Sequence, residues 1–530
     1  MADSNVLSFT IGQAVKTVGD PNAEYESMLD TWRWARCACS GEQAVKEHDS
    51  VTTKNTGKNF LIPFSPTMSD AQYAFYRQEA EWPGISSQFS HMMAEGLLRK
   101  QPELKLPDGL PTDAYDWIMH QFGRDDSSLT AFLDAALWEE IQTSRAWIFV
   151  DYPEITEPEK MSSEDFLYYK PFPILQKAES IINWRTREDY RGKMLLDRVI
   201  VRGMREVFKP ESEFHPYYKD TVWVHELNDA GFYRVRMYER VDETAITEVR
   251  AGEKQASIAN VQFNLVKTIE NIQMGGKPLK FIPAWPLNGN IDIIQPVLTP
   301  IINKEKALYN KMSRRNHLLY GASTYTPVAA VNMTDDQFDD MVERGLGTWI
   351  KIEPGETITA LETPTDALAD MEKAIAANVE EIAKLGVRML APEVTQPGVA
   401  LELRNAAQTA RMGSINSRVS STMRQVIAFM LSWRYGLDLP AYIISFSLSP
   451  DFDPLPLGEG WLRLATEWYE NTLIPRSVWL QMLKHNDIIP PDYDDEVGRA
   501  EIAEDVEAAQ ANMPSEEGYL NDLEKQQEKE

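Results

Sequence analysis

Two cysteines in 530 residues, Cys37 and Cys39, exclude a disulfide scaffold and sit too close together for an ordinary disulfide. Usage this sparse suits a reducing cytoplasm. They read as two packed small residues; the alternative, a Cys-x-Cys metal site helped by His48, falls short of the four well-spaced ligands zinc normally takes. Histidine is scarce too, with seven residues scattered singly. No run of eighteen apolar residues occurs, and Asp3 stands where a secretory signal would carry lysine or arginine, so neither a membrane span nor export is expected. Basic charge is also short: 53 Lys and Arg face 81 Asp and Glu, a formal net charge of -28. Affinity for DNA comes mainly from Lys and Arg neutralising phosphates, so an adhesive nucleic-acid binder is disfavoured. A surface past which DNA slides is not.

The chemistry-bearing motifs are missing as well. Gly275-Gly276-Lys277 is followed by Pro278 and lacks the spacing and the Ser/Thr of a phosphate-binding loop, so it reads as a hairpin turn. His225-Glu226 begins like a zinc-protease motif without the second histidine four residues on. Asp451-Phe-Asp453 lacks the glycine and terminal glutamate of a calcium loop. No nucleophile elbow is present. The reading is of a protein that is not an enzyme, with no catalytic residues, metal or cofactor.

What remains is ample core material: 43% hydrophobic and 10% aromatic residues, with a mean hydropathy of -0.39. The length allows about three or four domains. Residues 1–290 read as an α+β domain with an aromatic start at Trp32, Trp34, Phe60, Tyr73, Tyr76 and Trp82. Leu129, Phe132, Leu133, Ala136 and Leu137 predict a helix over 129–143, followed by a strand at 146–150. Further strands are expected at 198–202, 221–226 and 233–238, where β-branched and aromatic residues concentrate.

From about residue 290 the pattern becomes helical. Thr299-Pro300 is an N-cap followed by proline at the first helical position, predicting a helix to about Leu319. Thr363-Pro364 repeats the signal, and Leu368, Met371, Ile375, Val379, Ile382 and Met389 continue at three and four spacing. Glu380 and Lys384 form an i,i+4 pair on this helix, and Ala369, Ala376, Ala377 and Ala383 let a neighbour approach. Between the two helices, strand-like pieces at 325–331 and 348–352 flank an acidic helix at 334–344. A Pro/Gly segment, Pro392 to Gly398, precedes a third helix at about 401–435 that ends at Gly436. On it Ala407, Ala410, Ser414, Ser417 and Ser421 form a small-residue stripe, and Arg404, Arg411 and Arg418 recur every seven residues. A strand at 441–448 and a helix pair around Trp461, Trp468 and Trp479 follow, then an acidic, helix-prone end from 487 to 530.

Helix, compact insertion, helix, proline-interrupted loop, long helix: this order resembles the stem, clip, stem, tunnel loop and tunnel helix of the portal proteins of tailed bacteriophages. The strings Ser144-Arg-Ala-Trp-Ile-Phe-Val-Asp-Tyr-Pro153 and Ala178-Glu-Ser-Ile-Ile-Asn-Trp-Arg185, with Phe281-Ile-Pro283 as a pre-stem strand, are similar to segments of a portal-like family of formerly unknown function found in phages and prophages. The resemblance runs from about Tyr25 to Pro490. Pro296 and Pro300 depart from the smooth, leucine-rich approach that family more often shows before its first stem helix.

The resemblance implies a multidomain α+β portal fold. Its parts would be an α/β wing at 1–290, a first stem helix at 291–319, a small α/β clip at 320–362 and a second stem helix at 363–390. A tunnel loop at 391–400, a tunnel helix at 401–436, a C-terminal wing or crown base at 437–486 and an acidic tail or crown at 487–530 would complete it. It further implies a homo-oligomeric, dodecameric ring passing double-stranded DNA. The expected partners are the terminase large subunit, the head-to-tail adaptor, and the major capsid and scaffolding proteins. Assembly would take place in the host cytoplasm, and the working location would be the virion's portal vertex. Glu393, Thr395 and Gln396 would face DNA from the loop; Glu372, Glu380, Glu381 and Lys384 would line the channel; Arg404, Arg411 and Arg418 would bridge subunits. Asp335, Asp336, Asp339, Asp340 and Glu343 would dock partners at the clip. Each set has a plain alternative: a solvated loop, a solvated face, intramolecularly paired arginines, and a helix kept soluble by charge. Another phage structural subunit, such as an adaptor or capsid-associated scaffold, and a cytoplasmic hydrolase are the rival readings.

Overall fold

The computed structural model describes residues 17–54, 57–153, 169–188, 192–209, 212–241, 262–270, 272–323, 328–330, 334, 350–352, 365–384, 398–448, 459–471, 474–485, 488–489 and 493–511. The chain divides into two compact units, Met1–Phe452 and Asp453–Glu530.

The first unit opens with helices whose ends are written in the sequence. Helix α1 (Ala23–Ser40) follows Asn22, whose side chain accepts from Glu24 N, and α2 spans Glu42–Val51. Helix α3 (Asp70–Glu79) starts with a full capping box between Ser69 and Gln72. Next come α4 (Ile85–Leu97) and the short strand β1 (Glu103–Lys105), then α5 (Asp113–His120) and α6 (Leu129–Thr143). Helix α6 has the predicted span; Ser128 caps its start and Ser144, at φ 52, turns left-handed at its end. The aromatic start forms core: Trp32, Phe60, Tyr73, Tyr76 and Trp82 are buried.

Strand β2 (Trp147–Asp151) pairs antiparallel with β3 (Phe172–Gln176) on one side. Trp147 to Val150 are all buried, so both faces of this strand are covered, which accounts for the unbroken apolar run there. The three other expected strands lie inside a five-stranded antiparallel sheet. Its strands, in both chain and spatial order, are β4 (Ile181–Glu188), β5 (Met194–Lys209), β6 (Ser212–Leu227), β7 (Tyr233–Arg240) and β8 (Phe263–Ile269). Gly275 and Gly276, at φ 54 and 75, make the expected hairpin turn between β9 (Gln273–Met274) and β10 (Lys277–Pro278). Phe281-Ile-Pro283 is not a strand: pairing begins with β11 (Ala284–Pro286), whose residues oppose Trp147 to Phe149. Pro283 instead offers its carbonyl to Val150 N at 2.9 Å.

Helix α7 spans Thr299–Ser323. Thr299 is helical and is not the cap: its Oγ1 has no partner among the described residues, and Ile302 N bonds to Leu298 O. Strands β12 (Val328–Ala330) and β13 (Ile350–Ile352) fall inside the two strand-like pieces and pair in parallel. Parallel pairing needs a connection of a dozen or more residues, and 19 residues separate the two strands in the sequence. Helix α8 spans Thr365–Lys384, and the Thr363-Pro364 start lies outside the described residues.

Helix α9 spans Gly398–Tyr435, so Gly398 belongs to the helix and the expected start at 401 comes three residues early. It ends as expected at Gly436, φ 64, where Leu437 N reaches back to Ser432 O in a left-handed terminal motif. The strand expected over 441–448 is a turn of 3-10 helix at Ala441–Ile443 followed by a short β14 (Ser445–Ser447), paired with β1.

In the second unit α10 (Glu459–Glu470) and α11 (Arg476–His485) are the expected tryptophan-bearing pair, with the Tyr469 and Trp479 rings stacked at 4.8 Å. Helix α12 (Asp495–Ala511) occupies part of the acidic end, and Asp495 receives both Arg476 and Arg499 at 2.8 Å.

Candidate functional site

Helix α7 is held on two sides. Gly84 gives α4 no side-chain cap, and Glu305 of α7 supplies it from 220 residues away. The Glu305 carboxylate accepts from Ile85 N at 2.6 Å, from Ser86 N at 2.9 Å and from the Ser86 hydroxyl. Burial pushes this carboxyl up to about 7. One turn on, Asn310 accepts from Ile62 N and donates to Phe60 O, both at 2.8 Å. Tyr309 packs edge-on against Trp82, and His317 stacks on Phe64.

Helix α8 lies against α7. Lys311 of α7 donates to Asn378 Oδ1 at 3.0 Å and to Ala374 O at 3.2 Å, while Lys304 pairs with Glu381. Ile382 and Asn378 are buried; Leu368, Met371, Ile375 and Val379 are half-buried. Ala369, Ala376 and Ala377 are exposed, together with Glu372, Glu380 and Glu381. Thus α8 presents outward a face of small and acidic side chains.

The long helix α9 also has two characters. Met412, Asn416, Val419, Met423 and Val426 are buried, with Asn416 donating to Leu448 O at 3.1 Å. Ser414, Ser417 and Ser421, the described part of the small-residue stripe, are exposed, as is Arg418. The side chains of Lys384, Arg404 and Arg411 lie outside the described residues, as do Glu393, Thr395, Gln396, Asp335, Asp336, Asp339, Asp340, Glu343 and the acidic helix at 334–344.

Two polar systems escape sequence reasoning. In the first, Arg36 bridges Glu139 and Glu179 at 2.6 Å each, and Glu139 also accepts from Ala178 N. Close by, Glu140 accepts from Ala146 N at 3.1 Å and is pushed up to about 8 by burial. The Arg145 guanidinium lies 4.1 Å over Trp184, donates to Ile291 O, and is lowered to about 10 by burial. The strings at 144–153, 178–185 and 281–283 therefore meet in space, where they do structural work.

The second system is the five-stranded sheet. Glu226, fully buried, receives Arg198, Arg234 and Arg236 at 2.7–2.8 Å. Asp220 receives Arg202 at 2.5 Å, Asp197 receives Arg185 and Arg187, and Glu239 receives Arg205 and Lys219. The alternation Arg234-Val-Arg236-Met-Tyr238-Glu239-Arg240 was the available signal, but pairing partners on other strands are invisible until register is known.

The residues set aside earlier have mundane places. His225 bonds the Tyr233 hydroxyl at 2.7 Å, packs at a tilt against Phe149 and is pushed down to about 4 by burial. Burial raises Cys37 to about 11 and Cys39 to about 12, while His48 faces Asp49. Among the described residues no group of three His, Cys, Asp or Glu could hold a metal ion, and no helix is long and apolar enough to cross a membrane.

A comparison with curated proteins finds no match. Residues 298–434 match a family described as a domain of unknown function (DUF4055), a stretch that starts at the cap of α7, spans α8 and ends one residue before the close of α9.

Proposed function

We propose that this chain is the portal subunit of a tailed bacteriophage. About twelve copies would close into a ring by heterologous contacts. Double-stranded DNA would pass through its channel during packaging and ejection. The clip would dock the terminase large subunit and later the head-to-tail adaptor, and the capsid and scaffolding proteins would surround the ring. Hydrolysis of ATP would belong to the terminase.

One observation supports this reading above others. Helix α7 is fixed to the N-terminal layer on one side and to α8 on the other, and α8 leaves Ala369, Ala376 and Ala377 uncovered. Small side chains let helix backbones approach closely, so that face suits a neighbouring helix at short range. The uncovered Ser414, Ser417 and Ser421 give α9 the same property. A ring needs such a face on every copy.

The electrostatics suit passage without adhesion. At -28 per chain the assembly is strongly acidic, and phosphates find few cations to hold them. Glu372, Glu380, Glu381 and Lys384 would line the bore; Glu393, Thr395 and Gln396 would contact DNA at its narrowest point; Arg404, Arg411 and Arg418 would bridge subunits. Asp335, Asp336, Asp339, Asp340 and Glu343 would meet basic patches on the docked partners.

Sedimentation of the purified chain tests the reading. A particle near twelve times the 60.4 kDa chain supports it; a stable monomer removes it. Deleting residues Pro392 to Gly398 should then spare ring assembly and impair DNA packaging or retention. Loss of the ring on that deletion would count against the loop as the constriction.

A further inference from the structure

The five-stranded sheet carries the opposite charge to the molecule as a whole. Its strands hold eleven Lys and Arg against seven Asp and Glu, a local +4 in a chain of net -28. Register gathers much of this on one face. Arg198 of β5, Glu226 of β6 and Arg234 of β7 stand directly opposite one another, and so do Arg202, Val222 and Tyr238. Strand alternation adds Asp220, Val224, Arg236 and Arg240 to the same face. There β6 forms a floor, with Asp220, Val222, Val224 and Glu226 at most 2% exposed. Arginines stand in a row on either side, Arg198 and Arg202 on β5, and Arg234, Arg236 and Arg240 on β7. With neighbouring strands about 4.8 Å apart, the two rows lie about 10 Å from each other.

This face is short of negative charge. Glu226 accepts from Arg198, Arg234 and Arg236 at 2.7–2.8 Å, while Asp220 accepts from Arg202 and lies 4.0 Å from Arg240. Counting the exposed Glu270, 3.9 Å from Arg234, three carboxylates face five guanidiniums. Four of these arginine side chains remain 24–37% exposed, and Nε of Arg236 and of Arg240 is buried without an acceptor among the described residues. The buried carboxylates fix the guanidiniums from below, which presets their exposed edges for further carboxylates. Alternate residues of an extended chain lie about 6.7 Å apart, as Arg234 and Arg236 do, so an acidic residue at every second position meets successive arginines. A DNA duplex fits less well. Its charge, one per about 1.7 Å along its length, is repelled by the acidic remainder of the chain, whereas a short segment answers to the local excess within about 10 Å. We propose that this face docks an extended acidic segment of another protein, laid along β6 between the two arginine rows. The proposal is independent of ring formation.

Fluorescence anisotropy on the purified full chain tests this, with a labelled peptide that alternates glutamate and threonine as the probe. The peptide should bind, and binding should weaken as salt rises from about 50 mM to about 500 mM. Arg198→Gln together with Arg234→Gln should weaken it at least about fivefold. Because those arginines meet a buried carboxylate, the pair may not fold; Glu270→Gln, at an exposed position, then decides, and should tighten binding about twofold by removing the competing acid. A labelled DNA duplex and a glutamine–threonine peptide serve as comparisons, and both should bind more weakly than the acidic peptide. No binding of the acidic peptide at about 50 mM salt overturns the proposal, as does binding that Glu270→Gln leaves unchanged. Tighter binding of the duplex than of the peptide overturns it too, since the face would then take nucleic acid.

Discussion

Glu305 does for α4 what its own N-terminal residue does not. Glu305→Ala leaves the buried amides of Ile85 and Ser86 without an acceptor. Denaturant unfolding should show a loss of about 3 kcal/mol, with Glu305→Gln losing roughly half as much because one acceptor survives. Glu140 is a different case, since its acceptor role is served as well by an amide. A carboxyl whose folded pKa is raised holds its proton where the unfolded chain has already lost it, so stability falls as pH rises through that window. For Glu140, raised to about 8, and Glu305, raised to about 7, this fall begins near the ordinary carboxylate value. His225, pushed down to about 4, opposes it below its ordinary value of 6.5, because the folded state refuses a proton that the unfolded chain accepts. Above that value the glutamates act alone. The melting temperature should therefore drop between pH 7 and 8, and Glu140→Gln should flatten the drop and raise stability at pH 8 by about 1 kcal/mol or more. A slope that survives the substitution would assign it to other groups.

At the scale of elements, the uncovered alanine face of α8 is the feature to perturb. Ala376→Trp adds a large ring to an exposed helical position, so the isolated fold should be stable to within about 0.5 kcal/mol. Assembly should fail, because the ring occupies the space a neighbouring helix needs; sedimentation of the variant should show smaller particles. Normal rings would show that this face does not meet another copy. These elements were largely legible in the sequence, since each is specified locally. Leu129 to Thr143 and Thr365 to Lys384 declare themselves by period, the Gly275-Gly276 turn by its glycines, and the end of α9 by Gly436. What was not legible depends on distant partners. Phe281-Ile-Pro283 is apolar enough for a strand, yet pairing with β2 begins only at Ala284. Thr299 has the chemistry of a cap, but the helix starts with it. The Glu226–Arg234 lattice and the Glu305 clamp join residues whose proximity only the folded chain creates. Of the small residues that helical spacing groups on α8 and α9, Ala369, Ala376, Ala377, Ser414, Ser417 and Ser421 are exposed and Ala383, Ala407 and Ala410 lie outside the described side chains; spacing could not say what would cover them.

Across the whole molecule the dominant quantity is charge. Copies carrying -28 each repel one another, and added salt screens that repulsion between charges more than about 10 Å apart. Ring formation should accordingly strengthen between about 50 mM and about 500 mM salt, readable as a fall in the fraction of free subunits, whereas assembly weakening steadily with salt would mean that attractive ion pairs between copies outweigh the net repulsion. DNA should remain unbound to the assembled particle at physiological salt except when threaded. The most direct measurement is an image average of the purified protein viewed down the particle axis. The account predicts a closed ring of about twelve subunits around an open hole wide enough for a DNA duplex. Particles without a central opening, or a chain that stays monomeric at every concentration and salt, would contradict it.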